Sequence, residues 1–305
     1  MKLLNAIAVS LSVSMLSACG DSDLEEIHEQ ELDDAIVSFE APLVSSALPN
    51  SESITPANID LSDYELVFGD EFNDMTLDAN KWTTSLWPED TIVFNQLQFY
   101  VDIQNDTQTL NSPFTLNGQY LTISATPTPD DQRSIANEQA YLSGILSTRD
   151  TFDLTFGYIE ARVDVETGRG IWPSLWMFGS ASDGLRPELY LLEHDGAKAD
   201  SIFYNYNYVD NDGNLRSTGQ REVEFEGFAD SFHTIGLKWT SEEILFYING
   251  QPSYRIVGQN VPNEDMFLIL NLAMGGIWPG APDATTPDPA TFKVDYIRVY
   301  QLKDQ

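Results

Sequence analysis

Two glutamates five positions apart, Glu188 and Glu193, are the side chains in this sequence whose type and spacing best fit chemistry. In a strand, alternation places Glu188 and Tyr190 on one face and turns Glu193 to the other. One extra residue, a β-bulge at Leu191-Leu192, returns Glu193 to the face of Glu188. Two carboxylates on one face fit retaining glycoside hydrolysis, in which one attacks the anomeric carbon and the other donates and then accepts a proton. By itself, the spacing is weak evidence for chemistry and is more typical of a solvated edge strand.

Two tryptophans, Trp172 and Trp176, lie just upstream of this segment. Because indole rings stack on the apolar faces of sugars, aromatic residues near paired carboxylates indicate a glycan-binding cleft. Arg169 precedes the tryptophans and flanks the predicted cleft. It would bind acidic sugar substituents or, as the alternative, pair with the abundant surface carboxylates.

Several segments, in the same order along the chain, resemble glycoside hydrolase family 16, especially its laminarinase-like members. The segments that carry the resemblance are Val67–Asn73, Asn95–Tyr100, Ser143–Thr148, Gly157–Arg162, Leu268–Gly276, Trp278–Gly280 and Val294–Tyr300. The resemblance covers nearly the whole predicted domain. It implies a β-jelly-roll sandwich whose concave face binds a polysaccharide, the expected partner of this chain.

The family's catalytic motif, Glu-x-Asp-x-x-Glu, falls on Glu188, Tyr190 and Glu193. By this resemblance Glu188 is the nucleophile and Glu193 is the general acid/base, whereas Tyr190 departs from the family's aspartate. A third carboxylate at that position would raise the pKa of the acid, since like charges held close raise one another's pKa. The phenol of Tyr190 is neutral near pH 7, although its hydroxyl can donate a hydrogen bond to a carboxylate. We therefore expect a lower pKa for Glu193 than an aspartate would produce.

The resemblance also implies binding residues outside the motif. Asn95 and Gln98 fall in a stretch that contacts sugar in the family, and Trp278 matches a cleft-lining residue, with a core tryptophan as the alternative. Asp295 matches an aspartate that holds a structural calcium in some members, and Glu71 is a possible second ligand. The alternative for Asp295 is a capping or pairing role. The chemistry itself requires no cofactor.

Short strands must position these residues. Runs rich in Val, Ile, Tyr, Phe and Thr recur from Tyr64 onward, separated by clusters of Gly, Asn, Asp and Pro. Asn249-Gly250 lies between two such runs and predicts a hairpin with a tight turn. Long helical periodicity is absent. This pattern predicts a β-sandwich or a barrel formed by one domain over residues 61–302. The family resemblance implies, more specifically, an all-β jelly-roll sandwich of the concanavalin A-like type.

The composition limits the partners of the chain. Its 305 residues include 48 acidic and 15 basic side chains, for a formal net charge of −33. Such a chain repels phosphate, so a nucleic-acid partner is excluded. The single cysteine cannot form an intramolecular disulfide. Separately, we expect the protein to be a monomer.

That cysteine, Cys19, lies at the end of an N-terminal segment that has the charged and apolar regions of a secretory signal. Leu16-Ser17-Ala18-Cys19 resembles the bacterial lipobox, in which the cysteine becomes the acylated first residue. We predict a signal peptide over residues 1–18, an acidic tether over 19–60, and a lipid anchor at Cys19. Gly20 favours the outer membrane of the bacterial cell envelope. An ordinary signal peptide with an unrelated cysteine is the alternative.

The sequence thus predicts a lipid-anchored endo-glycosidase that hydrolyses a β-1,3-glucan type of polysaccharide with retention. A transglycosylase would share every residue named above. The rival from a different class is a surface glycan-binding protein on a catalytically inactive scaffold, for which Tyr190 is the main support.

Overall fold

The computed structural model describes residues 60–85, 95–105, 110–180, 187–210, 212–258 and 261–303. Within these ranges the chain forms seventeen strands and no helix. The strands are β1 (Tyr64–Asp70), β2 (Gln98–Tyr100), β3 (Phe114–Leu116), β4 (Leu121–Pro127), β5 (Tyr141–Ser143), β6 (Ile145–Ser147), β7 (Gly157–Val165), β8 (Ile171–Gly179), β9 (Glu188–Glu193), β10 (Ser201–Val209), β11 (Leu215–Ser217), β12 (Arg221–Glu224), β13 (His233–Trp239), β14 (Glu243–Ile248), β15 (Gln251–Val257), β16 (Met266–Met274) and β17 (Ala290–Leu302). The predicted signal peptide, most of the tether and Cys19 lie outside the described residues.

The described strands build two sheets. The larger has the order β15-β14-β13-β7-β17-β4-β5-β2, with β1 also paired to β17 and β3 to β4. The smaller has the order β11-β10-β9-β8-β16-β6, with β12 also paired to β10. Consecutive strands are often not neighbours, as in the pairing of β16 with β8 and β6, so long crossovers connect the sheets. This all-β sandwich confirms the predicted fold class.

Alternation along the strands produces the core between the sheets. In β7 the buried residues Ile159, Ala161 and Val163 alternate with half-buried polar ones. In β16, by contrast, all nine residues are buried, so both faces of this strand are covered. The predicted hairpin is also confirmed: β14 pairs antiparallel with β15 around Asn249 and Gly250, which have φ values of 50° and 74°. Asparagine and glycine tolerate this left-handed backbone.

The seven-stranded sheet turns one face to the core and the other away from it, and we call the second the outer face. Leu175 on β8 and Leu189 on β9 belong to the core, so their neighbours Trp176 and Tyr190 lie on the outer face. No helix long and apolar enough to cross a bilayer occurs in the part of the chain that the structure describes.

Candidate active site

A bulge in β9 brings both glutamates to the outer face. On β8, Trp176 pairs with Tyr190 and the next pair joins Leu175 to Leu192, so Leu191 is the extra residue. The other neighbour, β10, shows the same shift in register between its pairs with Tyr190 and Glu193. Leu191 and Leu192 are both buried in the core. The bulge predicted at these two leucines is therefore confirmed, and Glu193 shares a face with Glu188.

Glu188 is half-buried and accepts two hydrogen bonds on the same oxygen, Oε2. The amide Nδ2 of Asn207 donates at 2.9 Å and the hydroxyl of Tyr190 donates at 3.2 Å. Asn207 is directly opposite Glu188 on β10, so the strand register sets this contact. The sequence did not single out Asn207 as a site residue. Its only signal is the alternation of Asn205 and Asn207 with buried tyrosines in β10.

Tyr190 packs flat against its cross-strand neighbour Trp176. The two ring centroids are 5.1 Å apart and the planes differ by 6°. The indole Nε1 of Trp176 donates to Oδ1 of Asn271 at 2.9 Å, and Nδ2 of Asn271 donates to the hydroxyl of Tyr100 at 3.0 Å. Trp176 thus lies in the site as predicted, but Tyr190 covers one face of the indole that was expected to stack on sugar.

Glu193 is only 2% exposed, in contrast to the half-buried Glu188. The indole Nε1 of Trp172 donates to its Oε1 at 3.2 Å, and Oε2 has no hydrogen-bond partner among the described residues. Burial raises the pKa of Glu193 to about 8; the nearby polar side chains of Gln220 and Trp172 favour the charged form and act in the opposite direction, and the negative charge of Glu188 adds a smaller increase. Burial therefore raises this pKa without the motif aspartate, and the expected difference from a site that has the aspartate stays a prediction.

Aromatic rings from three segments surround Glu193. Trp278, from the loop after β16, packs edge-on against Trp172 and Phe203 with centroid distances of 5.1 and 5.0 Å. Phe203 is the partner of Glu193 on β10, and the ammonium of Lys198 lies 5.0 Å from its ring centroid. Trp278 is half-buried and lines the site, as the resemblance implies. Phe203 was missed, because only the register of β10 places it beside Glu193.

The remaining predicted sugar contacts divide into two groups. Asn95 is exposed, and its neighbour Gln96 forms a bridge to Gly275 at the start of the loop that carries Trp278. Arg169 is also exposed and its guanidinium lies beside Gly280 in the same loop. Both therefore lie near the Trp278 end of the site.

Gln98, in contrast, is 5% exposed. Its Nε2 donates to Oε1 of Gln96 at 2.7 Å, and its Oε1 accepts the backbone N–H of Met274 at 2.8 Å. The bond from Met274 ties β2 to the end of β16, and the bond to Gln96 is local. The geometry favours this bracing role over the sugar contact that we predicted for Gln98.

Of the two proposed calcium ligands, Asp295 lies on β17 and Glu71 follows the end of β1, and each carboxylate contacts an arginine. Asp295 forms an ion pair with Arg162, and Glu71 accepts two hydrogen bonds of 2.8 Å from Arg298. In the described ranges, no group of three or more histidine, cysteine or acidic side chains is arranged to hold a metal ion. Both carboxylates are thus paired with arginines, and calcium, whose predicted site also uses backbone oxygens, stays a prediction.

Fold and site together define a class of protein. A β-sandwich that presents a half-buried and a buried carboxylate on one face, beside tryptophans, has the organisation of a glycoside hydrolase.

Comparison with known proteins agrees with this class. The family model described as Glycosyl hydrolases family 16 matches residues 81–298. The chain is 31% identical over 253 residues to the endo-1,3-1,4-beta-glycanase ExsH of Rhizobium meliloti, which covers 80% of this chain and 53% of that protein. It is 29% identical over 285 residues to the glucan endo-1,3-beta-glucosidase A1 of Niallia circulans, with 81% and 39% covered. The chain therefore belongs to glycosyl hydrolases family 16.

Solved structures show the same fold. The laminarinase catalytic domain from Thermotoga maritima superposes with a TM-score of 0.65 at 26% identity, covering 79% of this chain and 100% of that one. The chain spans about half the length of the curated relatives ExsH and EglC from Rhizobium meliloti.

Proposed function

We propose that this protein is an endo-acting β-glucanase that cleaves a β-1,3-containing glucan and retains the anomeric configuration. The observation that carries the proposal is the difference in environment between two carboxylates on one face. Glu188 is half-buried and accepts two hydrogen bonds, whereas Glu193 is buried and has a pKa raised to about 8. Carboxyl groups whose environments differ in this way divide the roles of nucleophile and acid between them.

In the first step, the Glu188 carboxylate attacks the anomeric carbon as the bond from that carbon to the glycosidic oxygen breaks. Glu193 donates its proton to the leaving oxygen. An indole N–H only donates, so Oε1 of Glu193, which receives the bond from Trp172, is an acceptor. The acid proton then belongs on Oε2, the oxygen without a protein partner in the described residues.

In the second step, Glu193 is ionised and accepts a proton from a water molecule. The oxygen of that water attacks the anomeric carbon, and the bond to Glu188 breaks. Two displacements at one carbon restore the original configuration. A sugar hydroxyl that enters in place of water would yield a transglycosylation product by the same steps.

The substrate class rests on the relatives. ExsH is named as an endo-1,3-1,4-beta-glycanase and the Niallia circulans protein as a glucan endo-1,3-beta-glucosidase. Another relative, 28% identical over 281 residues, is named as a keratan-sulfate endo-1,4-beta-galactosidase from Sphingobacterium multivorum. The net charge of −33 disfavours a highly sulfated polymer at low salt, which supports a neutral glucan for this chain.

The test is release of reducing ends from laminarin, mixed-linkage β-glucan and keratan sulfate by the purified protein. We expect cleavage of the glucans and its loss in Glu188→Gln. The matched control is Glu160→Gln, which changes a carboxylate on the other sheet. Proton NMR of the first product anomer tests retention, and an inverted product would contradict the mechanism.

The same panel tests the glycan-binding alternative. Binding without cleavage by the native protein, together with cleavage by Tyr190→Asp, would establish a binding protein. Cleavage by the native protein excludes that alternative.

We also infer from Cys19 that the protein is attached to the cell envelope by acyl chains. Several chains together give stable anchoring, because each buried methylene contributes roughly 0.8 kcal/mol. In a Gram-negative host we expect the native protein in the membrane fraction and the Cys19→Ser variant outside it. Equal fractionation of the two would contradict a lipid anchor.

A further inference from the structure

A continuous set of side-chain contacts crosses the outer face of the seven-stranded sheet and ends at the nucleophile. It begins at the hydroxyl of Tyr100, passes through Asn271 to the indole of Trp176, and continues through the stacked ring of Tyr190. The hydroxyl of Tyr190 then donates to Oε2 of Glu188. These five residues come from β2, β16, β8 and β9, so strands distant in sequence determine where the Tyr190 hydroxyl lies.

Asn207 completes the arrangement from the opposite side. Its amide reaches the same oxygen of Glu188 from β10, while Tyr190 reaches it along β9. Two donors that converge on one oxygen from different directions restrict rotation of the carboxylate. The other oxygen of Glu188 is thereby oriented as well, because the group is planar.

We propose that Tyr190 is a positioning residue for the nucleophile, and that its stack on Trp176 together with the Asn207 bond fixes the orientation of the Glu188 carboxylate in the absence of the family's aspartate. This inference rests on the proposed function and deepens it. The ring of Tyr190 is held by a face-to-face contact at 5.1 Å, so its hydroxyl is a donor at a defined place. Unlike an aspartate, it adds no charge and takes no proton from its neighbours near pH 7.

The burial of Glu193 explains why a tyrosine can stand in place of the motif aspartate. An aspartate in the motif would raise the pKa of the acid through its negative charge. Here desolvation is the largest cause of the raised Glu193 pKa. The residue at position 190 therefore need not carry a charge, and a neutral donor that orients Glu188 is sufficient.

The experiment measures covalent labelling of Glu188 with 2,4-dinitrophenyl 2-deoxy-2-fluoro-β-laminaribioside. The carboxylate forms a bond to the anomeric carbon and dinitrophenolate leaves as an anion, so the step requires no proton from Glu193. Intact mass spectrometry follows the labelled fraction, and peptide mapping identifies the residue. The maximal labelling rate and the half-saturating probe concentration are measured separately.

Tyr190→Phe keeps the aromatic ring and removes the hydroxyl. We expect its maximal labelling rate to fall roughly tenfold or more, as is typical for loss of a hydrogen bond to a charged group, with little change in the half-saturating concentration. A purely structural role would not lower the maximal labelling rate while leaving the half-saturating probe concentration unchanged. The matched control is Tyr296→Phe, which removes a similar tyrosine-to-glutamate bond, to Glu160 at 2.8 Å on the other sheet, and is expected to label at the native rate.

A second variant tests the stack. Trp176→Leu keeps the Tyr190 hydroxyl but removes the ring that holds it, so its maximal rate should fall too. If both act through one orientation, the double variant is little slower than Tyr190→Phe alone, because such effects are not additive.

Labelling of Tyr190→Phe at the native maximal rate or faster would overturn the positioning role while leaving the nucleophile assignment intact. Additive losses in the double variant would also overturn it. Absence of labelling at Glu188 in the native protein would instead overturn the proposed function, and the positioning role with it.

Discussion

Replacing Glu193 by glutamine should stabilise the protein relative to the native form, and this difference in unfolding free energy should grow as the pH rises. The native side chain is 2% exposed, and burial raises its pKa to about 8. A glutamate in an unfolded chain has a pKa of about 4.3. Between these two values the folded protein therefore binds one more proton than the unfolded chain, and the free energy of unfolding falls with pH. The stabilisation is complete below about pH 4 and is lost as the pH rises through about 8.

The magnitude follows from the width of this interval. One proton of difference changes the free energy of unfolding by about 1.4 kcal/mol per pH unit. Between pH 5 and pH 7.5, Glu193 should therefore destabilise the native protein by about 3 kcal/mol. Glutamine does not titrate, and its amide oxygen can still accept the Trp172 bond. The difference in unfolding free energy between Glu193→Gln and the native protein should change by that amount in favour of the variant.

Urea unfolding of both proteins at a series of pH values provides the assay. Every other titrating group is common to the two proteins, so the difference between the curves isolates Glu193. Parallel curves between pH 5 and pH 7.5 would refute the argument, since they would show that burial does not shift this carboxyl. Carbon-13 NMR titration of the Glu193 carboxyl is an independent check of the same pKa.

Three further predictions follow from the same contacts. Trp172→Phe removes a donor that lowers the pKa of Glu193, so that pKa should rise. The alkaline limb of the pH–rate profile for glucan cleavage should then move to higher pH, and an unmoved limb would contradict this. Asn207→Asp replaces a donor to Oε2 of Glu188 by a second carboxylate, which repels the nucleophile's charge. Glucan cleavage at pH 7 should slow roughly tenfold or more, with a melting temperature close to native. Unchanged turnover would count against the assigned contact. Leu189→Ala opens a cavity in the core and should lower the unfolding free energy by about 2–5 kcal/mol in a urea titration. A loss below about 1 kcal/mol would contradict this and show that the core collapses around the smaller side chain.

Local patterns in the sequence were sufficient to predict the strands and the geometry of the catalytic pair. The period of alternation in a strand is two, so the spacing of Glu188 and Glu193 required an extra residue between them, and the structure has that bulge at Leu191. The Asn249-Gly250 turn was predictable for the same reason, because its left-handed backbone depends on those two residues alone. These features follow from covalent geometry within a few residues.

Contacts between distant segments were not predictable in this way. Asn207 and Asn271 reach the site through the register of β10 and β16, which no local pattern specifies. The same limit applies to Gln98, whose amide braces two strands, and to Asp295, which an arginine on another strand engages.

The protonation of the acid shows the difference most directly. The sequence showed that the motif aspartate is absent and pointed to a weakened acid. The tertiary structure buries Glu193 beside Trp172, Phe203 and Trp278, which come from three segments of the chain. Sequence by itself determined that Glu193 shares a face with Glu188, because that relation is a matter of local spacing, and the family motif predicts Glu193 as the acid. Only the fold determined its pKa, because desolvation depends on every segment that excludes water from the carboxyl.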